Sequence, residues 1–178
     1  MRKQIDVFDH SNTILKELKK GILLTTKNGE EVNSMTISWG QLGIEWNKII
    51  FTTYVRENRH TRKMLDSGEF TINVPLERKS VAKILGYCGT KSGKNVNKIS
   101  EMNLTLVDGV NVSVPAIKEL PLTLECKVLY KQMQDKDEIQ EQINNDCYPQ
   151  DVPSDFSGAN KDYHVMFYGE IVNAYIIE

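Results

Sequence analysis

The sequence predicts a mainly β fold of the α+β class, an antiparallel barrel with a few short helices at its openings. Short apolar, β-branched runs recur along the chain, and glycine, asparagine and proline separate them. Several such runs precede a helix predicted at residues 59–67 and another follows it, so the strand–helix–strand alternation of a parallel sheet is absent. No repeat or linker divides the 178 residues, and we predict a single domain over residues 1–178.

Capping and turn residues predict the first helix and the first hairpin. Ser11 is positioned to cap a helix over residues 12–19. Strand patterns at 22–26 and 32–39 flank the Asn28–Gly29 turn, which is a strong hairpin signal. We therefore expect these two strands to pair.

The middle of the chain alternates strands with polar segments. Asn58 and Gly68 provide the start and stop signals of a helix. The predicted elements are a loop at 40–46, a strand at 48–54, a helix at 59–67 and a strand at 70–74.

The second half ends in two long strands. Gly169 interrupts the last one and predicts a bulge or a sharp bend there. The predicted elements are a short helix at 80–86, a loop at 87–94, a hairpin of strands 104–107 and 110–114 around Asp108–Gly109, a strand at 122–132, a loose helix within 135–149, a loop at 151–162 and a strand at 163–177.

Composition and charge narrow the functional class. The net charge is −2, whereas proteins that bind duplex nucleic acid carry a basic excess, so we expect no nucleic-acid partner. No apolar run approaches the roughly 20 residues that span a bilayer, and no signal-peptide pattern follows Met1. The expectation is a cytoplasmic protein with no membrane partner. The three histidines and three cysteines lack ligand spacing, so no metal site is predicted.

Residues 33–39 form a strand with hydroxyls on one face. Alternation puts Ser34, Thr36 and Ser38 on one side and apolar residues on the other. A wet outer face is the ordinary interpretation of this pattern in an antiparallel sheet. If the face lines a cavity instead, it offers hydrogen bonds to an aromatic heterocycle.

A cationic run follows the strand at 48–54, at the start of the predicted helix. Arg56, Arg59, His60 and Arg62 lie within seven residues. Arginine forks suit phosphate oxygens, whereas arginines at the start of a helix oppose its dipole unless an anion is near. A phosphate site and a solvated basic face are equally supported by this run alone.

Residues 88–94 combine glycine, hydroxyl and lysine. Glycines let backbone N–H groups approach an anion, and Lys91 and Lys94 bring positive charge. The spacing is not that of a P-loop. A flexible surface loop remains the simpler interpretation from composition alone.

Four stretches carry a family resemblance through their order and spacing. They are NSMTISW at 33–39, RHT at 59–61, FTINVP at 70–75 and CGTKSGKNVNK at 88–98. Together they resemble the flavin reductase-like proteins of the FMN-binding split-barrel group, and the flavoredoxin branch in particular. The resemblance implies a Greek-key split barrel that forms a homodimer and binds one non-covalent FMN per pocket.

The resemblance also implies a function. An NAD(P)H-dependent oxidoreductase would take electrons from NADH or NADPH and pass them through flavin N5 to a flavin or another acceptor. No side chain is predicted to be catalytic. The alternative is a flavoredoxin-type electron carrier reduced by a protein partner, without a nicotinamide site. A third hypothesis is a barrel that binds a ligand or a partner strand and has no cofactor.

The cofactor-binding residues implied by the resemblance come from the three clusters above. The first would lie along the flavin ring, the second would bind the ribityl chain and phosphate, and the third would close over the flavin or its phosphate. They are Asn33, Ser34, Met35, Thr36, Ser38, Trp39, Thr53, Tyr54, Val55, Arg56, Arg59, His60, Thr61, Cys88, Gly89, Lys91, Ser92, Gly93 and Lys94.

Overall fold

The structure is a computed structural model that describes residues 1–178. It contains ten strands and five helices, with single 3₁₀ turns at Leu65–Ser67 and Lys136–Glu138. The elements are β1 (Arg2–Gln4), α1 (Val7–Leu18), β2 (Ile22–Asn28), β3 (Glu31–Ile37), β4 (Gly40–Glu45), β5 (Lys48–Arg56), α2 (His60–Met64), β6 (Glu69–Val74), α3 (Arg78–Thr90), α4 (Lys98–Glu101), β7 (Leu106–Val107), β8 (Ala116–Ile117), β9 (Leu122–Met133), α5 (Glu141–Cys147) and β10 (His164–Ile177).

Eight strands form one antiparallel sheet in the order β3-β2-β6-β9-β10-β5-β4, with β1 added on β10. Strand β10 pairs with β9 along nearly its whole length, whereas its other edge is divided between two partners. Residues 164–170 pair with β5, and residues 175–177 pair with β1. The register shifts between Tyr168 and Gly169, which confirms the predicted bulge.

The sheet curves around one apolar core. Side chains of α1 and of strands β2, β3, β5, β6, β9 and β10 meet there. Ile37 and Phe51 belong to strands near opposite ends of the sheet, yet both share this core with Leu18 of α1. The sheet must therefore curl towards itself, with α1 packed at an opening, as the predicted barrel requires. Helix α3 packs on the other side of β2 through a second apolar cluster that includes Leu23 and Leu85.

The two hairpins at the ends of the sheet differ in how well the sequence predicts them. Strands β2 and β3 pair as predicted. The predicted loop at 40–46 is wrong, because Gly40–Glu45 forms β4 and pairs with β5. Trp46 and Asn47 form the two-residue turn, with φ of 52° and 58°. Positive φ at both positions is the requirement of a type I′ hairpin turn, in which tryptophan is unusual.

Helix boundaries also depart from the prediction. Helix α1 begins at Val7 rather than at residue 12, because the Asp6 carboxylate accepts a hydrogen bond from Phe8 N at 2.8 Å. Helix α3 extends from Arg78 to Thr90, so it includes part of the segment predicted as a loop. The helix predicted at 59–67 is the short α2 followed by a 3₁₀ turn, and it ends at Gly68 with φ of 84° as predicted.

The predicted hairpin around Asp108–Gly109 is wrong. Strand β7 pairs with β8 instead. The buried Glu125 carboxylate accepts hydrogen bonds from the backbone N–H of Val110 at 2.7 Å and of Asn111 at 2.8 Å. These bonds occupy donors that a strand at 110–114 would use in a ladder. A distant side chain therefore overrides the local turn signal.

The long strands β9 and β10 agree with their predicted positions. Residues 151–162 contain no helix or strand, as predicted, and the charged segment before them contains α5. No helix of the structure combines the length and the apolar character needed to cross a bilayer. No group of three or more His, Cys, Asp or Glu side chains is arranged to hold a metal ion.

Candidate functional site

Two adjoining cavities form a cleft beside β3. The first cavity, of about 650 Å³, is lined by β3, α2, the end of α3, the residues leading into α4, and residues 154–157. The second cavity, of about 370 Å³, is lined by β3 and the residues after it, the end of β5, α5 and residues 157–159. Met35, Thr36, Arg59 and Ser157 line both. The combined cleft has the size and concavity of a small-molecule or cofactor site.

The first cavity concentrates positive charge in a chain whose net charge is −2. Its cationic or titratable residues outnumber its single carboxylate, Asp155. The His60 imidazole is already paired with Glu31, with Nε2 and Oε1 2.6 Å apart. The remaining cations are Arg59, Lys91, Lys94 and Lys98. This donor set fits an anionic ligand such as a phosphate group.

Strand β3 is held against α3 and does not present a uniform hydroxyl face. Thr36 Oγ1 donates to Leu85 O of α3 at 2.6 Å. Ser34 is fully buried, and its Oγ shares a hydrogen bond of 2.8 Å with Thr25 Oγ1 on β2. Thr36 therefore lines the cleft, whereas the Ser34 hydroxyl is committed to the sheet interior.

The segment after α3 packs directly against β3 and α2. Asn33 Nδ2 donates to Thr61 Oγ1 at 2.8 Å, and both residues are buried. A Cβ added at Gly93 would lie 2.4 Å from Asn33 Oδ1 and 2.9 Å from His60 Cδ2. Only glycine allows this close approach, so Gly93 sets how near residues 91–97 come to the cavity.

Replacing Gly93 with alanine should therefore weaken ligand binding more than folding. The new methyl must displace the Asn33 amide or the backbone at Gly93, and either shift moves the cavity wall. We expect the affinity for FMN, the ligand that the family resemblance implies, to fall about tenfold or more, with less than about 1 kcal/mol lost from the free energy of unfolding. Titration of the purified variant with FMN and urea denaturation would measure the two quantities. Equal affinity in Gly93→Ala and wild type would contradict this role.

Lys98 is the buried cation of the first cavity. Its Nζ donates to Ser34 O and to Cys88 O, each at 3.0 Å, and the residue is 4% exposed. Burial lowers the pKa of Lys98 to about 8, with Arg59 adding repulsion and Cys88 opposing the shift. Burial raises the pKa of the Cys88 thiol, which favours the protonated, unreactive form.

Two arginines fasten residues 147–162 over the cleft. Arg56 Nη1 donates to Asn160 O at 3.1 Å and to Asp162 O at 2.5 Å, and Nη2 donates to Cys147 O at 2.9 Å. The Arg56 guanidinium also lies 5.1 Å from the centre of the Tyr148 ring. Since these three carbonyls engage both Nη atoms, Arg56 is an anchor for the segment, and its contact with a phosphate stays a prediction.

Arg59 is the second of these anchors. Its Nη2 donates to Ser157 O at 2.9 Å and to Phe156 O at 3.3 Å. Desolvation by burial lowers the pKa of Arg59 and, likewise, that of Arg56. Both guanidinium groups stay charged because their ordinary pKa is far above neutrality. The segment therefore brings carbonyl groups to these two cations as hydrogen-bond acceptors, and the nearby charge of the Asp162 carboxylate favours their charged forms.

The second cavity is more apolar and contains a neutral histidine. The rings of Trp39 and His164 have centroids 4.9 Å apart. Burial lowers the pKa of His164 to about 3, and the nearby Arg56 and Arg59 reinforce the shift. Tyr148 Oη lies 2.9 Å from His164 Nδ1 and donates to Gln134 Oε1 at 2.8 Å. The cavity thus offers aromatic surfaces and an uncharged imidazole.

The structure brings fifteen of the nineteen predicted cofactor-binding residues to the cleft. Of the other four, Asn33 lines a neighbouring cavity with Gly93 and Lys94. Ser34, Thr53 and Val55 are buried and do not line the cleft; Val55 is part of the main core. Side chains alternate along β5, so Tyr54 and Arg56 reach the cleft whereas Thr53 and Val55 do not.

Sequence reasoning missed three contributors to the cleft. Lys98 stands at the end of the CGTKSGKNVNK motif, but nothing local marks it as buried. His164 has no sequence neighbours that mark it as more than an isolated histidine. Ser157 and its neighbours lie in a segment whose composition indicates only a loop. All three reach the cleft through contacts between segments far apart in the chain.

Comparison with known proteins gives one family. Residues 18–178 match the family model described as flavin reductase like domain. An uncharacterized protein of Archaeoglobus fulgidus is 33% identical over 101 residues, which cover 56% of this chain and 55% of that protein. The alignment therefore spans only about half the length of this curated relative.

Solved structures support the fold. Flavoredoxin of Desulfovibrio vulgaris (Miyazaki F) gives a TM-score of 0.65 at 22% identity, covering 89% of this chain and 69% of that chain. An FMN-binding domain of a flavin reductases-like enzyme from Shewanella baltica gives 0.66 at 18% identity, covering 99% and 77%. At sequence identities this low, the structural similarity is evidence for the fold alone. The similarity confirms the predicted split-barrel class.

Proposed function

The chain belongs to the flavin reductase-like domain family, and on that premise we propose that it is an FMN-binding oxidoreductase that accepts electrons from NADH or NADPH. The observation that carries the proposal is the cleft itself. A cationic cavity of about 650 Å³ joins an aromatic cavity of about 370 Å³ through residues common to both. A phosphorylated, planar cofactor needs this pairing of environments.

The residues present fit FMN in three respects. The first cavity has several cations and one carboxylate, which suits a phosphate. Gly93 has no side chain at a place where a Cβ would collide with Asn33, so backbone approaches the cavity closely. Lys98 is a buried cation without a carboxylate partner. We assign the phosphate to this cavity and the ring to the side nearer Met35, Thr36 and Trp39.

FMN, when bound, supplies the hydride and electron chemistry. The protein's own residues then have binding and orienting roles. The cations of the first cavity hold the anionic end, and residues 35–39 form the wall beside the ring. Residues 157–159, fastened through Arg59 and Arg56, limit the access of water to the second cavity. The neutral His164 beside Trp39 offers a hydrogen-bonding group without a charge.

A second candidate function is an electron carrier reduced by a protein partner. The fastened segment 147–162 favours it, because that segment forms one wall of the second cavity and restricts the room for a nicotinamide. The homodimer implied by the family resemblance stays a prediction for either function. Sedimentation of the purified protein would test it.

The visible spectrum of the purified protein, loaded with FMN and then mixed anaerobically with NADH or NADPH, tests the proposal. We expect a yellow protein that bleaches with at least one of the two nicotinamides. A yellow protein that neither nicotinamide bleaches, but that a reduced electron-transfer protein does, would favour the carrier. A protein that neither takes up FMN nor gains thermal stability from it would overturn the proposed function.

A further inference from the structure

Lys98 is bonded in a way that leaves its charge unbalanced. Its ammonium has three N–H donors, and two of them are directed to Ser34 O and Cys88 O. Both partners are neutral carbonyls, and none of the six ion pairs of the protein includes Lys98. The residue is 4% exposed and lines the first cavity. One N–H donor therefore has no partner within the protein, and the positive charge has no counter-ion.

Such a charge is costly in the unliganded protein. A buried ammonium without a counter-ion loses hydration that two carbonyl dipoles replace only in part. The cations that share the first cavity increase the cost, since Arg59, Lys91 and Lys94 also line it and Asp155 is its only carboxylate. In the neighbouring cavity, which Lys98 also lines, the acidic residues are Glu30 and Glu31, and the Glu31 carboxylate is already paired with His60. The Cys88 thiol, beside the carbonyl that Lys98 bonds, stays protonated because burial raises its pKa. An anion would supply the missing partner.

We propose that Lys98 is the residue through which the cleft distinguishes a phosphorylated flavin from the same flavin without phosphate. The inference rests on the proposed function and deepens it. The two carbonyl bonds hold Lys98 between β3 and the end of α3, so binding an anion there orders no additional side chain. Lys91 and Lys94 are exposed, and water screens the attraction that each exerts on an anion.

Binding of FMN and of riboflavin to wild type and to Lys98→Met, followed by flavin fluorescence at pH 7, tests the proposal. Wild type should prefer FMN. Loss of a buried, charged hydrogen bond should reduce FMN affinity about 10- to 100-fold and leave riboflavin affinity unchanged. Lys91→Met compares the loss of an exposed cation in the same cavity, where water screens the charge, and should lower the ratio less than about threefold. Lys83→Met, on the exposed side of α3, should change nothing.

The pH dependence of binding adds an independent readout. Lys98 must be protonated to pair with phosphate, and in the free protein its pKa is about 8. Because the bound anion favours the charged form, FMN affinity should fall as pH rises through 8, at most tenfold per pH unit. Riboflavin affinity, and FMN affinity in Lys98→Met, should lack this fall between pH 7.5 and 9.

Two further experiments distinguish a wrong inference about Lys98 from a variant that does not fold or a protein that binds no flavin. Lys98→Gln removes the charge but keeps N–H donors for the two carbonyls. It therefore replaces Lys98→Met in the flavin-binding experiment if Lys98→Met does not fold. Inorganic phosphate, compared with chloride at equal ionic strength, should raise the melting temperature of the flavin-free wild type and not that of Lys98→Gln.

An FMN-to-riboflavin affinity ratio that is the same in wild type and both Lys98 variants would overturn the inference and leave the proposed function intact. If neither flavin binds, but phosphate stabilises wild type and not Lys98→Gln, the anion role stands and the proposed function falls. If neither flavin binds and phosphate has no selective effect, both are overturned.

Discussion

Replacing Arg56 with alanine should lower the free energy of unfolding by about 3 kcal/mol, because three backbone carbonyls, of the buried Asn160 and the half-buried Cys147 and Asp162, lose a charged donor at once. The change removes the hydrogen bonds to Cys147, Asn160 and Asp162 and the contact with the Tyr148 ring. Urea denaturation would measure the loss. Proteolysis within residues 151–162 should accelerate in the variant, since their attachment to β5 is broken.

Arg62→Ala is the matched control for Arg56→Ala. Arg62 pairs with Asp66 at 3.0 Å near the surface, so its loss should cost less than about 1 kcal/mol. Flavin binding shows whether Arg56 acts as an anchor or as a phosphate ligand. If Arg56 is an anchor, Arg56→Ala should lower the affinities for FMN and for riboflavin by the same factor, because the substitution disturbs residues 147–162. A selective loss of FMN binding, with stability retained, would instead identify Arg56 as a phosphate ligand.

Gly169→Ala should lower the free energy of unfolding by about 2–3 kcal/mol, because the added methyl group overpacks the core. A Cβ there would lie 2.4 Å from Phe70 Cζ, 2.6 Å from Phe70 Cε1 and 3.0 Å from Cys126 Cβ. Phe70 is fully buried in the main core, so its ring has no free space to enter. The loss would appear as a lower urea midpoint with an unchanged slope.

Gly86→Ala offers a control of the opposite sign for Gly169→Ala. Gly86 lies within α3, and nothing approaches within 4 Å of a Cβ placed there. Alanine should therefore stabilise the helix by about 0.5–1 kcal/mol, because it lowers the conformational entropy of the unfolded chain. Equal destabilisation by both substitutions would mean that the contact with Phe70 is not the cause.

The sequence-based predictions that the structure confirms depend on residues with strong preferences for a local backbone conformation. The Asn28–Gly29 turn sets the β2–β3 hairpin, Gly68 ends the turn after α2, and Gly169 marks the bulge of β10. In each case one residue type fits a backbone conformation or a close contact that others do not. The flavin-family resemblance added the split-barrel class, which local chemistry alone did not supply.

Strand β4 was missed because its local signals are weak. Most of its residues are exposed, so apolar and polar positions do not alternate, and its turn contains tryptophan instead of glycine. Helix α3 was shortened in the prediction because Gly86 and Gly89 resemble a helix stop. In the fold, Gly89 packs beside Thr36, and the helix continues.

The chemistry of the cleft was only partly predictable, because partners are distant in sequence. The carbonyls that engage Arg56 lie 91 to 106 residues further along the chain. Lys98 bonds to Ser34 O, 64 residues away. Sequence analysis could therefore identify a cationic cluster, but not which cations are exposed, which are occupied and which are buried without a counter-ion.

The arginine anchors have a consequence for evolution and for protein engineering. Arg56 and Arg59 bond to carbonyl oxygens of residues 147–162, and every amino acid supplies the same carbonyl. The anchors therefore constrain the path of this segment and leave its side chains open to change. Homologues could diversify the wall of the second cavity without losing the attachment. A library that randomises Ser157 and Ala159 while retaining both arginines would exploit the same freedom to select new ligands of the second cavity.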